Sequence, residues 1–187
     1  MVPPTRTRLS VLRVNVAGLL RSTPGALRTY PVAGERLDLG AGLRQAAPLA
    51  GTVRLARTNR GILVEAHLTT ALAEMCSRCL GATAVPIAVD ILEEALPSVD
   101  LETGGPLDLE AEPDVLRLDD HHELDLEVPV REAVSLAEPL APVCRAACAG
   151  LCPECGRDLN DEPHAHPELE GDPRLAPLAR LLADEKE

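Results

Sequence analysis

The sequence predicts an α+β fold: an antiparallel β-rich body, one helix packed on it, and a compact cysteine-and-histidine segment near the C-terminal end. Three stretches carry that expectation. Between Thr52 and Glu94 apolar and polar side chains alternate with period two, as strands with one buried face require. Around Asp125 to Ala137 the period becomes helical, with Leu126, Val130, Ala133, Val134 and Ala137 on one stripe. From Cys144 to His166, four cysteines and two histidines crowd into one short run.

A chain of 187 residues has room for one domain with a core and a small appendage, not for two full-sized domains. The β-rich body is expected over 1–140, the Cys/His segment over 141–170 and a short amphipathic tail over 171–187. The apolar content comes mainly from Ala, Val and Leu. There is no Phe or Trp, and Tyr30 is the only aromatic ring. Readers of single-stranded nucleic acid stack bases on aromatic faces, so that class is disfavoured, and any nucleic-acid contact would rest on charge and shape.

The net charge of −12 disfavours a phosphate-binding protein when the chain is taken whole. Its distribution is polarised, because the first sixty residues hold ten Arg against Glu35 and Asp38 and leave the rest strongly acidic. Arg54, Arg57 and Arg60 are therefore candidates for RNA contact; the alternative is that they decorate the solvent faces of strands. No stretch approaches the roughly 18 consecutive apolar residues of a membrane-spanning helix. The Arg-bearing start looks superficially like a targeting peptide, but Arg13 and Asn15 interrupt it. It reads instead as a first strand with Leu12, Val14 and Val16 facing a core. A soluble, cytoplasmic protein is expected.

Within the alternating region, Val53 and Leu55 share a face opposite Arg54, and Asn59-Arg60-Gly61 marks a turn. In the next strand Ile62, Val64, Ala66 and Leu68 alternate with Leu63, Glu65, His67 and Thr69, which puts His67 on the polar face as a solvated histidine. A third strand alternates Val85, Ile87, Val89 and Ile91 with Pro86, Ala88 and Asp90, and Pro86 suggests an edge or a strand start. From about 97 to 123 the chain turns to Gly, Pro and acids and reads as an exposed acidic connector. His121 and His122 are adjacent and cannot share a helical face as a metalloprotease pair does. Asp125 reads as an N-cap, with the helix running to about Ala137 before Pro139 and Pro142 stop it.

Six cysteines in closely spaced sets fit thiolate metal ligation in a reducing compartment better than a disulfide scaffold. Cys76-Ser-Arg-Cys79 joins two strands and reads as half of a metal site, a redox pair or a tight turn. Redox chemistry of the thioredoxin type needs a helix N-terminus there, and the flanks are strands. The second group is denser. Cys152-Pro-Glu-Cys155-Gly156 has the form of a zinc knuckle, and His164 and His166 supply the second ligand pair, so the preferred zinc set is Cys152, Cys155, His164 and His166. A competing set replaces the histidines with Cys144 and Cys148, whose i, i+4 spacing suits one helical face. Four protein ligands leave no open position, so such a site is structural.

The combination of Cys76-x-Arg78-Cys79-Leu80, the sequence through Pro139-Leu-x-Pro142, and Cys152-Pro-x-Cys155-Gly-x-Asp-Leu159-Asn160 resembles the YceD family of large ribosomal RNA subunit accumulation proteins. The resemblance covers roughly residues 50 to 182 and includes the closing Asp172-Pro173-Arg174. It implies a non-enzymatic factor for synthesis, processing or stability of 23S ribosomal RNA. Family members with the C-terminal cluster commonly close it with Cys-x-Cys where this chain has His164-x-His166, which keeps the ligand capacity. Partners would be precursor ribosomal RNA or a basic ribosomal protein. A zinc-stabilised scaffold or adaptor without RNA contact is the alternative. An enzyme has least support, because there is no Gly-rich phosphate loop or nucleophile elbow.

Overall fold

The computed structural model describes residues 12–40, 42–107 and 115–167. In chain order the elements are β1 (Arg13–Asn15), α1 (Ala17–Leu20), β2 (Leu27–Glu35), β3 (Gln45–Arg57), β4 (Ile62–Met75), β5 (Ala82–Pro97), β6 (Leu116–Leu118), β7 (Glu123–Asp125) and α2 (Glu127–Leu136). Strands β2 to β6 form one sheet in sequence order, antiparallel except for the β5–β6 pair; β1 and β7 form a separate antiparallel pair.

The sheet is one-sided, and its register shows why the period-two sequence demands it. Val53 on β3, Ala66 on β4 and Ile91 on β5 lie in one cross-strand row, and all three are buried. Leu55 and Val64 pair beside that row, and Leu68 and Val89 pair on its other side. The intervening side chains project to solvent, where Arg54 faces Glu65 and His67 faces Asp90. A one-residue slip would exchange these faces, so the hydrophobic pattern fixes the register. The buried face is closed by Leu12, Val16, Leu19 and Leu20 from the N-terminal elements and by Leu124, Leu126, Val130 and Val134 from β7 and α2.

Several expectations are sharpened. Leu12 and Val16 are buried and Val14 packs beside them, but β1 pairs with β7 and does not join the large sheet. Helix α2 starts one residue later than a cap at Asp125 requires. Leu126 holds the cap position, while Asp125 ends β7, accepts the Glu127 amide at 2.9 Å and pairs with Arg13. The acidic connector is not featureless: Val99 and Pro106 form a bridge, and β6 pairs with the end of β5. Over Pro86, β5 has β4 on one side only among the described residues, which is the edge position its proline needs. The amphipathic tail from Asp172 lies outside the described residues.

Strands β4 and β5 run on past the end of β3, and their connection is Cys76–Gly81. At about 3.3 Å per residue, a strand the length of β4 carries this tip roughly 45 Å from the β3–β4 turn. Both cysteine groups gather around that tip.

Candidate metal centres

Two clusters of four metal-ligand-type side chains exist among the described residues, and in each the ligand atoms all lie within 4.8 Å of one another. One is Cys152, Cys155, His164 and His166. The other is Cys76, Cys79, Cys144 and Cys148. Either cluster could hold a metal ion.

The Cys152 cluster is built on a tight turn. The Cys152 amide donates to the Arg157 carbonyl at 2.8 Å and the Gly156 amide returns to the Cys152 carbonyl at 2.9 Å. Leu151 and Asp158 bridge across the base of the turn. Gly156 has φ +72°, a conformation that glycine adopts without a Cβ clash. His164 Nδ1 donates to the Glu162 carbonyl at 2.7 Å, so its Nε2, 3.1 Å from Cys155 Sγ, is the free ligand atom. His166 Nδ1 lies 3.4 Å from the Glu154 carboxylate, which orients a second imidazole in the same manner.

Electrostatics favour thiolate here. Backbone N–H groups, that of Cys155 foremost and then that of Glu154, bring the Cys152 thiol down to about 6 against the opposing effect of burial. The His164 pKa is raised, first by its bond to the Glu162 carbonyl and then by the Cys152 sulfur.

The second cluster joins distant parts of the chain. Cys76 and Cys79 come from the β4–β5 tip; Cys144 and Cys148 come from the irregular segment after α2. Sγ of Cys76 lies 3.9 Å from Sγ of Cys148, and Sγ of Cys79 lies 3.8 Å from Sγ of Cys144. Cys76 and Cys148 are buried, Cys79 is half-buried and Cys144 exposed. The amides of Cys79, Cys144 and Arg78, in that order, hold the Cys76 thiol down to about 6, whereas hydrogen bonding with Cys148 foremost, then burial, push Cys144 up to about 12. Crowded thiols resist ionising together, and a bound cation would remove that conflict.

Arg78 holds the two segments in place. Its guanidinium donates to the carbonyls of Cys148 at 2.9 Å and Ala146 at 3.3 Å, and its own carbonyl accepts the Leu151 amide at 3.0 Å. Gly150 passes so close that a Cβ there would sit 3.0 Å from the Arg78 oxygen. Asn160 links the clusters, donating to Cys148 Sγ at 3.5 Å and to Asp158 at 2.6 Å while accepting from the Ala149 amide at 2.9 Å.

The competing ligand set is thus not the one assembled, because Cys144 and Cys148 face Cys79 and Cys76 and leave His164 and His166 with Cys152 and Cys155. Nor are Cys144 and Cys148 on a helix; α2 ends at Leu136. A signal for this division is present in the sequence: six cysteines with His164 and His166 make eight ligands, two tetrahedral sets.

The arginine candidates are engaged within the fold. Arg54 pairs with Glu65 at 3.2 Å and Arg60 with Glu94 at 3.3 Å. Arg57 is half-buried and donates to the Leu20 and Gly61 carbonyls at 2.9 Å each, tying α1 to the β3–β4 turn. No helix among the described residues is long and apolar enough to cross a membrane.

Comparison with known proteins places these features in context. The family model described as "Large ribosomal RNA subunit accumulation protein YceD" matches residues 64–182, a span that takes in most of β4, all of β5 to α2 and both clusters. Uncharacterized proteins of Mycobacterium tuberculosis and Mycobacterium bovis are each 34% identical over 98% of this chain and 88% of their own length. An uncharacterized protein of Mycobacterium leprae is 33% identical over 73% of this chain and 60% of its own. No solved structure matches.

Proposed function

Because the chain belongs to the YceD family, named for accumulation of the large ribosomal RNA subunit, we propose that it is a non-enzymatic cytoplasmic factor for 23S ribosomal RNA accumulation and large-subunit biogenesis. The family match carries this reading, since it runs from β4 through α2 and takes in the whole cysteine segment. The ribosomal RNA role implies a partner in the assembling subunit. The net charge of −12 supports a basic ribosomal protein in that place. So does the internal engagement of Arg54, Arg57 and Arg60, which leaves these three poorly suited to counterion-releasing phosphate contacts. The metal held by Cys152, Cys155, His164 and His166 is zinc in this reading, and with four protein ligands it is structural.

Depletion in the cell tests the role directly. Precursor 23S RNA should accumulate or mature 23S RNA should fall, and large-subunit particles should drop relative to small ones. Unchanged 23S levels and subunit profiles would overturn it and leave the adaptor reading. RNA recovered on crosslinking, and lost when Arg54, Arg57 and Arg60 are neutralised, would move the contact from protein to RNA.

A further inference from the structure

We propose that Cys76, Cys79, Cys144 and Cys148 form a second zinc site, a tetrathiolate that fastens the segment after α2 to the tip of the β4–β5 hairpin. The sulfur geometry suits a tetrahedral ion. Zinc–thiolate bonds of about 2.3 Å at tetrahedral angles place sulfurs about 3.8 Å apart. Two of the pairs here are 3.8 and 3.9 Å apart, and no pair of the four exceeds 4.8 Å. A disulfide brings its sulfurs to about 2.05 Å, and all six cysteines are free.

The two cysteine turns share one backbone scheme. At the hairpin tip the Cys76 amide donates to the Gly81 carbonyl at 2.8 Å, and the Leu80 amide returns to the Cys76 carbonyl at 2.9 Å. These are the same two bonds, at the same offsets, that the Cys152 turn makes with Arg157 and Gly156. Even the left-handed residue recurs, at Leu80 with φ +58° and Gly156 with φ +72°. Leucine is a poor choice for that conformation, so something at the tip sustains it. A turn that points two sulfurs and their nearby amides at one spot suits a thiolate-bound cation.

Burial argues against four thiols that merely fill the core. Cys144 is exposed, yet its sulfur meets the other three. The surroundings orient the ligands as an outer shell would: Asn160 donates to Cys148 Sγ, Arg78 fixes the carbonyls of Ala146 and Cys148, and the Ser77 amide donates to Pro142 at 2.7 Å. On binding Zn²⁺, the four thiols release their protons to solvent and leave a centre of net charge −2, close to the Arg78 guanidinium. No electron transfer is involved.

Metal analysis of the full chain, purified under reducing conditions without chelator, should give two zinc ions per molecule. Joint replacement Cys79→Ser and Cys144→Ser should leave one, and Cys155→Ser with His164→Ala should leave the other. Cys144→His should keep two, because imidazole also binds zinc. With cobalt in place of zinc, the thiolate charge-transfer band should fall by about two thirds in the Cys79/Cys144 variant, four of six thiolates being lost. One zinc in the unaltered chain that survives that double replacement would overturn the proposal, as would iron in the site. Alkylation guards against a misfolded variant: in the zinc-loaded native chain Cys79 and Cys144 should react only after chelator is added, and rapid reaction of both without it is equally fatal. Zinc content and ribosomal RNA level are separate readouts, so this proposal and the ribosomal one fail independently.

Discussion

Leu80 and Gly156 occupy equivalent places in two turns of one design, and only one of them is the residue the backbone favours. A left-handed conformation costs an L-residue roughly 1–2 kcal/mol, and the Leu80 side chain is more than half exposed, so packing returns little of it. Leu80→Gly should therefore stabilise the protein by about 0.5–1 kcal/mol after the glycine's entropy is set against the relieved strain. Gly156→Ala should destabilise it by about 1–2 kcal/mol, although no heavy atom lies within 4 Å of the added Cβ, because the cost is conformational and not steric. Urea unfolding of the two variants checks both signs. Equal effects would mean the turns are not equivalent.

At the scale of the elements, the polar face of the sheet is organised by cross-strand pairs. His67 and Asp90 lie directly opposite on β4 and β5, with Nδ1 2.6 Å from the carboxylate, and Glu65 lies 3.7 Å from the other ring nitrogen. The Asp90 hydrogen bond foremost, against desolvation, raises the His67 pKa above its ordinary value. The folded state thus prefers the imidazolium. Its stabilising contribution is full below the unfolded histidine value of about 6.5 and fades as pH rises through the higher folded one. An NMR titration should find the His67 midpoint above 6.5 and find it lowered by Asp90→Asn; a midpoint at or below 6.5 refutes the pairing. That this histidine sits on the solvated face was legible in the sequence, because one-sided burial writes itself into the stretch from Thr52 into β5 as period-two alternation. Strand β2 carries no such mark, since only Val32 of its nine residues is buried. Strands β6 and β7 are three residues each and are specified by distant partners, Ala95–Pro97 and Arg13–Asn15. The grouping of Cys152, Cys155, His164 and His166 is local and follows from their close spacing in sequence. The union of Cys76 and Cys79 with Cys144 and Cys148 spans the length of β5 through α2, and an i, i+4 spacing that suited a helix pointed elsewhere.

The whole molecule divides by what holds it together. Leu, Val and Ile side chains from 12 to 134 supply the buried core, whereas between 141 and 167 the buried residues are Cys148, Gly150 and Cys152. A segment with so little apolar burial offsets little of the entropy of ordering its own backbone, and on the proposal that both clusters bind zinc, ligation supplies the difference. Chelation under reducing conditions should accordingly loosen one part and spare the other. Hydrogen exchange should become fast at the amides of Cys148, Leu151, Cys152 and Leu159, which bond Arg145, Arg78, Arg157 and Gly150. The amides of Val53, Ala66 and Ile91, in the centre of the sheet, should stay protected. The exposed Leu140 and the chain beyond it should become the first sites of protease cleavage. Loss of protection across β3 to β5 on chelation would show instead that the clamp at the hairpin tip supports the sheet itself. In that case the cysteine segment is part of the folding unit and not an attachment to it, and the ribosomal role could not be separated from metal supply.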